Sequence, residues 1–166
     1  VAARNGAVAT VAASVPAVRK LNLGAGFDAE EGFVTFDLSP WATPDVRGDA
    51  ARLPFAAAAF SGVRAMHVLE HIERRDLIAL MNECWRVLAE GGRANIEVPV
   101  FPHQLAIADP THVSFFTSET FDYFCLGQGH DDHMRLYGIR PWRLCSRKRV
   151  SDGQILQVEM EKAAPA

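Results

Sequence analysis

The sequence predicts an α/β domain built on a mostly parallel, twisted sheet that closes with an antiparallel C-terminal hairpin. Three observations carry this reading. Short apolar runs, each ending at glycine, Asp or His, recur through the first hundred residues. One strongly amphipathic helix separates the last two of them, the arrangement of strands joined by crossovers. Two β-type runs at the end of the chain flank Ser151-Asp152-Gly153, a hairpin signal.

Taken in order, Lys20 to Leu23 reads as a buried strand stopping at the tight turn Gly24-Ala25-Gly26. A second strand is expected at Phe33 to Leu38, ended by Ser39-Pro40. Only the eight residues Ala25 to Gly32 separate the two, whereas a parallel pair normally needs a crossover of about a dozen or more. The first crossover is therefore shortened to a loop or a single turn. Val46 to Gly48 gives a brief third strand and Gly62 to Met66 a fourth. Between about Arg74 and Leu88, the residues Leu77, Met81, Cys84, Trp85 and Leu88 fall on one helical stripe. Gly91-Gly92 is expected to stop that helix. Ala94, Ile96 and Val98 alternate in a fifth strand closed by Pro99. From about 100 to 138 the chain reads as an irregular lid or cap, with one short helix at Ser118 to Phe124 capped by Ser118. Its Phe115, Phe116, Phe121, Tyr123 and Phe124 are expected to form a small core. The hairpin follows, Trp142 to Val150 and Gln154 to Glu161.

Composition sets the limits. The 166 residues suit one domain, 49% hydrophobic and 22% charged, the balance of a globular protein. Residues 1–19, rich in Ala and Val, read as a flexible leader, and 20–166 as the domain. A formal charge of -3 argues against a nucleic-acid partner, which needs clustered Lys and Arg. The single basic cluster, Arg143 with Arg147, Lys148 and Arg149, reads as a solvated strand face. Three scattered cysteines with no C-x-x-C pair favour a reducing, cytoplasmic setting, and no apolar run is long enough for a membrane span.

In open α/β sheets ligands sit beyond the carboxyl ends of the strands, so the residues there carry the chemistry. Gly24 and Gly26 permit positive φ and close backbone approach, but the third glycine and the long helix of a dinucleotide fingerprint are missing. A ligand with a ribose and no phosphates fits better. Asp37 ends the second strand, where a carboxylate can accept both ribose hydroxyls or merely cap a turn. Asp49 sits in a turn before Leu53-Pro54-Phe55 and can accept from an exocyclic amine of adenine. His67-Val68-Leu69-Glu70-His71 follows the fourth strand.

These segments, with Leu21-Asn22-Leu23 before the first turn and Arg86-Val87-Leu88-Ala89-Glu90-Gly91-Gly92 after the helix, resemble class I S-adenosylmethionine-dependent methyltransferases of the type 11 kind. The resemblance covers residues 20 to 99, and the terminal hairpin fits the family's reversed last strand. It implies a Rossmann-like fold with S-adenosylmethionine as cofactor. Gly24, Ala25 and Gly26 would line the methionine part, Asp37 and Leu38 the ribose, Asp49 and Ala50 the adenine, and His67 and Leu69 the sulfonium region. Asn22 stands where many members carry an acid, and Ser61 where many carry Asp.

Methyl transfer from a sulfonium needs alignment of two reactants and, for some acceptors, removal of a proton. His112 and His71 are the candidate catalytic residues, each equally readable as a structural loop histidine. The string His67-x-x-Glu70-His71, with His112, resembles the Glu-x-x-Glu-His metal site of some RNA 2′-O-methyltransferases and quinone-pathway O-methyltransferases. A His in place of the first Glu softens the set, and no metal is expected. The expected activity is methyl transfer to a small-molecule or sugar acceptor. A non-catalytic cofactor-binding or assembly module of the same fold is the alternative.

Overall fold

The computed structural model describes residues 19–164. Its centre is one seven-stranded sheet in the order β3-β2-β1-β4-β5-β7-β6. The strands are β1 (Lys20–Leu23), β2 (Phe33–Asp37), β3 (Val46–Arg47), β4 (Phe60–Met66), β5 (Leu88–Pro99), β6 (Trp142–Val150) and β7 (Ile155–Lys162). β1 to β5 pair in parallel, while β7 runs antiparallel to both β5 and β6. The predicted leader, residues 1–19, falls outside the described residues except for its last one. No helix among those described is long and apolar enough to cross a membrane.

The short first crossover is real, and its geometry is simple. A four-residue strand is about 13 Å long, so the nine residues from Gly24 to Gly32, reaching about 30 Å when extended, suffice to return the chain without a helix. Side chains from the sheet hold the loop in place. Asn22, buried on β1, donates from Nδ2 to the Asp28 carbonyl at 3.0 Å. Arg64 on β4 pairs with Asp28 at 2.9 Å and with Glu30. An acid at position 22 would have no proton to give that carbonyl.

The loop leaves the sheet with unlike faces. Leu21, Leu23, Val63, Ala65, Ala94, Ile96, Val98, Leu156, Val158 and Met160 form one face and lie in the core. The helix α1 (Leu77–Val87) turns Leu77, Leu80, Met81, Cys84 and Val87 toward the core, each apolar side chain contributing about 1.5–3 kcal/mol on burial. Lys20, Arg64, Arg93, Asn95, Gln157 and Glu159 form the other face and wall a shallow trough of about 730 Å³. Parallel sheets covered on both faces have continuous apolar strands; these alternate.

Three local expectations need correction. α1 ends at Val87, four residues before Gly91, because Leu88 turns extended (φ -74, ψ 138) and pairs with Phe60. Gly91, at φ 70, bends the start of β5 instead. The region after β5 holds two short helices besides the expected one: α2 (Gln104–Ile107) and α3 (Asp131–Tyr137). The 3-10 helix Ser118–Phe124 is capped by Thr117, whose N–H donates to Thr120 Oγ1 at 2.9 Å, not by Ser118. Phe116, Phe121 and Phe124 are buried there, while Phe115 and Tyr123 stay exposed. The basic cluster on β6 is partly engaged: Arg147 pairs with Asp122 at 2.5 Å, Arg143 with Glu161, and Arg149 donates to Ser118 Oγ.

Candidate functional site

Parallel strands deliver their carboxyl ends to one rim, and a cavity of about 270 Å³ opens there between β1, β2, β3 and β4. Gly24, Asp37, Leu38, Asp49, Ala50 and His67, all singled out in the sequence, line it, whereas Gly26 does not. Phe36, Gly48, Val68, His71 and Ile72 complete the wall. Of the other expected contacts, Ala25 and Leu69 are buried, and Leu69 belongs wholly to the core. The larger trough lies over the polar sheet face, away from the strand ends, and holds two ion pairs, Arg64 with Glu30 and Arg93 with Glu159.

The glycines are where they are for steric reasons. Gly24 has φ +63, and a Cβ there would sit 2.4 Å from Val68 Cγ2. A Cβ at Gly48 would sit 2.9 Å from the Phe36 ring. The Asp37 carboxylate is fixed by two backbone donors, Gly26 N–H to Oδ2 at 2.9 Å and Ser39 N–H to Oδ1 at 2.7 Å. Each oxygen keeps a lone pair for a further donor. Asp49 Oδ1 accepts from Ala51 N–H at 2.9 Å, which shapes its turn.

The loop carrying Leu53-Pro54-Phe55 is clipped to α1. Glu83 accepts from Leu53 N–H at 2.8 Å and from Arg86 Nε at 2.7 Å, while Arg86 donates to the carbonyls of Phe55 and Leu53. The Arg86 hydrogen bond holds the Glu83 carboxyl below its usual range, against the opposing pull of burial.

His67 follows β4 at φ +54, in the left-handed region. Its Nδ1 meets Glu70 Oε1 and its Nε2 meets Glu97 Oε1, each at 3.2 Å. The Glu70 hydrogen bond first, then both carboxylate charges, raise its pKa despite desolvation. Each ring nitrogen thus faces a carboxylate oxygen, an arrangement that favours the protonated ring. Glu97, fixed in turn by Gln157 Nε2 at 2.7 Å, lay outside the sequence expectations because alternation marks it only as outward-facing.

The region after β5 is stitched onto the turn after β4. Val113 and Ser114 N–H groups both donate to the Glu70 carbonyl, and Ser114 Oγ donates to the Ile72 carbonyl at 2.6 Å. This brings His112 against His71, with ring centroids 4.8 Å apart. His112 Nδ1 donates to the Ala106 carbonyl at 3.1 Å. Thr111 gives its proton to Asp109 at 2.6 Å, so His71 Nδ1 donates to Thr111 Oγ1 at 3.0 Å. In their neutral forms both rings thus keep a lone pair on Nε2. The site combines the fixed Asp37 carboxylate, His67 held between Glu70 and Glu97, and His71 at the cavity wall with His112 packed against it.

Residues 6–96 match a family model described as a methyltransferase domain, more than half of the chain. The chain belongs to this methyltransferase family. It is thus a methyltransferase with the α/β fold expected from its sequence. No curated protein matches the sequence. Solved structures share the fold at low identity. A SAM-dependent methyltransferase from Archaeoglobus fulgidus aligns with TM-score 0.63 and 16% identity, over 89% of this chain and 87% of that one. The complex of the Haloferax volcanii Trm112 methyltransferase activator with a methyltransferase aligns at 0.63 and 14%, over 90% and 85%. The Burkholderia thailandensis 1,6-didemethyltoxoflavin-N1-methyltransferase, with its acceptor and S-adenosylhomocysteine bound, aligns at 0.61 and 17%, over 87% and 71%.

Proposed function

We propose that this methyltransferase binds S-adenosylmethionine in the cavity at the strand ends and passes its methyl group to a small-molecule or sugar acceptor. The observation that carries the reading is the fixed Asp37 carboxylate beside Gly24 and Asp49 in one cavity of about 270 Å³. That volume suits a nucleoside better than a dinucleotide. In this reading Asp37 and Leu38 hold the ribose, Asp49 and Ala50 meet the adenine, and the Gly24-Ala25-Gly26 turn takes the methionine part. The array of His67 between two carboxylates, Glu70 and Glu97, carries net negative charge with either form of the ring. It suits a neighbouring sulfonium. Leu69 supports that end from the core rather than touching the ligand.

Methyl transfer is an in-line displacement: the acceptor's lone pair forms the new bond to carbon as the sulfur–carbon bond breaks and sulfur keeps the electron pair. The donor is already activated, so the protein aligns the reactants and handles the acceptor's proton. His71 and His112 are the groups we assign to that proton, through Nε2. The low charge and the absence, among the described residues, of a clustered basic face apart from the partly paired β6 arginines favour a small acceptor over a nucleic acid. Three unpaired cysteines fit a cytoplasmic setting.

Calorimetric titration with S-adenosylhomocysteine tests the cofactor assignment. Wild type is expected to bind, and Asp37→Ala to bind more than about tenfold less tightly, since hydrogen bonds to a charged group contribute about 1.5–3 kcal/mol. Absence of binding to the wild type overturns the reading.

A further inference from the structure

The sequence offered Glu70, His71 and His112 as possible ligands while leading to the expectation of a metal-free site, and the packing of the region after β5 onto the turn after β4 brings these three together. Glu70, His71 and His112 each present one donor atom, and the three atoms lie within 4.8 Å of one another. Glu70 is 1% exposed; its Oε1 meets His67, and its Oε2 is buried with no hydrogen-bond partner among the described residues. An orphaned carboxylate oxygen costs free energy unless something meets it. Both histidines give their Nδ1 proton away, His112 to the Ala106 carbonyl and His71 to the Thr111–Asp109 pair. The nearest acid oxygen to His112 Nε2, Asp109 Oδ2, is 3.9 Å off, too far for a hydrogen bond. A backbone carbonyl and a carboxylate-linked hydroxyl fixing the far nitrogen are the outer partners that metal-bound histidines keep.

We propose that Glu70, His71 and His112 form a site for a divalent first-row cation of the Zn²⁺ or Co²⁺ type. Two imidazoles and one carboxylate suit such an ion better than Mg²⁺, which takes oxygen donors. Ligand atoms around a tetrahedral ion at about 2.1 Å lie about 3.4 Å apart, so the donors close in by side-chain rotation. His67 is outside the set, because both its nitrogens are committed to carboxylates. Three protein ligands leave a coordination position for water or an acceptor oxygen. His71 also lines the cavity, so that position is available to the acceptor. With the ion bound, the two Nε2 lone pairs serve as ligands, so the site replaces the base role given above to His71 and His112: the ion makes the acceptor more acidic and its proton passes to solvent water. Cation binding itself does not rest on the methyl-transfer reading.

The test is titration of chelator-treated full chain with Co²⁺, read by its visible absorption and by calorimetry. His130 and His133 on and beside α3, with ring centroids 5.7 Å apart, are the competing pair, so a His130→Gln/His133→Gln protein is titrated in parallel. The expected result is one equivalent bound by wild type and by that double variant, and at least tenfold weaker binding in His71→Gln and His112→Gln. His71 is exposed, so its variant is expected to fold even if the His112 variant does not. No uptake by wild type overturns the proposal, as does uptake unchanged in His71→Gln or lost in the His130/His133 variant. S-adenosylhomocysteine binding measured with chelator present reports on the cofactor reading separately: failure there leaves the cation result standing.

Discussion

A single hydrogen at position 24 decides whether the first strand's turn can pack against Val68. Gly24 combines positive φ with a path for Cβ that ends 2.4 Å from Val68 Cγ2, whereas Gly26, at φ +54, has nothing within 4 Å of its Cβ position. Both alanine substitutions carry the left-handed backbone cost of about 1–2 kcal/mol. Only Gly24→Ala adds overpacking, about 1–3 kcal/mol more. Urea unfolding is expected to rank Gly24→Ala clearly below Gly26→Ala, with Val68→Ala recovering part of the difference; equal midpoints for the two would show that the contact does not exist. Gly24, Asp37 and His67 stood out in the sequence because each ends or directly follows a strand, and Asp49 because it sits in the turn after one; both are local signals. Leu69 was misleading for a related reason. Its neighbours His67 and Val68 face the cavity, but the 3-10 turn at Leu69–His71 rotates Leu69 into the core. Glu97 and the unpartnered Oε2 of Glu70 were not legible, since their meaning depends on contacts with residues far along the chain.

Elements are placed by side chains that reach between them, and the clip between α1 and the loop at 53–55 is the clearest case. The helix itself was readable from its apolar stripe. The clip was not, because Leu53 and Glu83 are thirty residues apart and the chain carries no periodic sign of their meeting. Glu83 has a depressed folded-state pKa, so its stabilisation is complete above the unfolded value of about 4.3 and fades as pH falls through the lower folded value. Glu83→Gln is therefore expected to cost about 1–2 kcal/mol at neutral pH and progressively less toward pH 3. Chemical denaturation across that range checks it. A constant difference at every pH would mean that packing, not charge, is what the substitution removed. Because the clipped loop continues from Asp49 and Ala50, the same variant is expected to weaken S-adenosylhomocysteine binding without touching the cavity wall.

At the scale of the molecule, the nine-residue crossover and the unlike sheet faces are one fact seen twice. The alternation in β5 and β7 was visible in the sequence, as was the short connection, but their link was not. It depends on Arg64 and Asn22 drawing the loop onto the sheet face that Arg93, Asn95 and Glu159 also occupy. That face among the described residues bears paired ions, with Arg93 and Glu159 at 2.9 Å, and solvated ion pairs contribute little. Neighbouring residues on one strand should therefore respond very differently to truncation. Ile96→Ala, at 4% exposure, is expected to cost about 2–5 kcal/mol in urea unfolding through the cavity it leaves. Asn95→Ala, one residue away on β5 and exposed, is expected to stay within about 0.5 kcal/mol of wild type. Val158→Ala and Glu159→Ala on β7 repeat the contrast independently, since Val158 is 2% exposed and Glu159 faces the trough. A cost at Asn95 or Glu159 comparable to that at Ile96 or Val158 would mean that the polar face is packed against something, and the single-layer account of the sheet would fail.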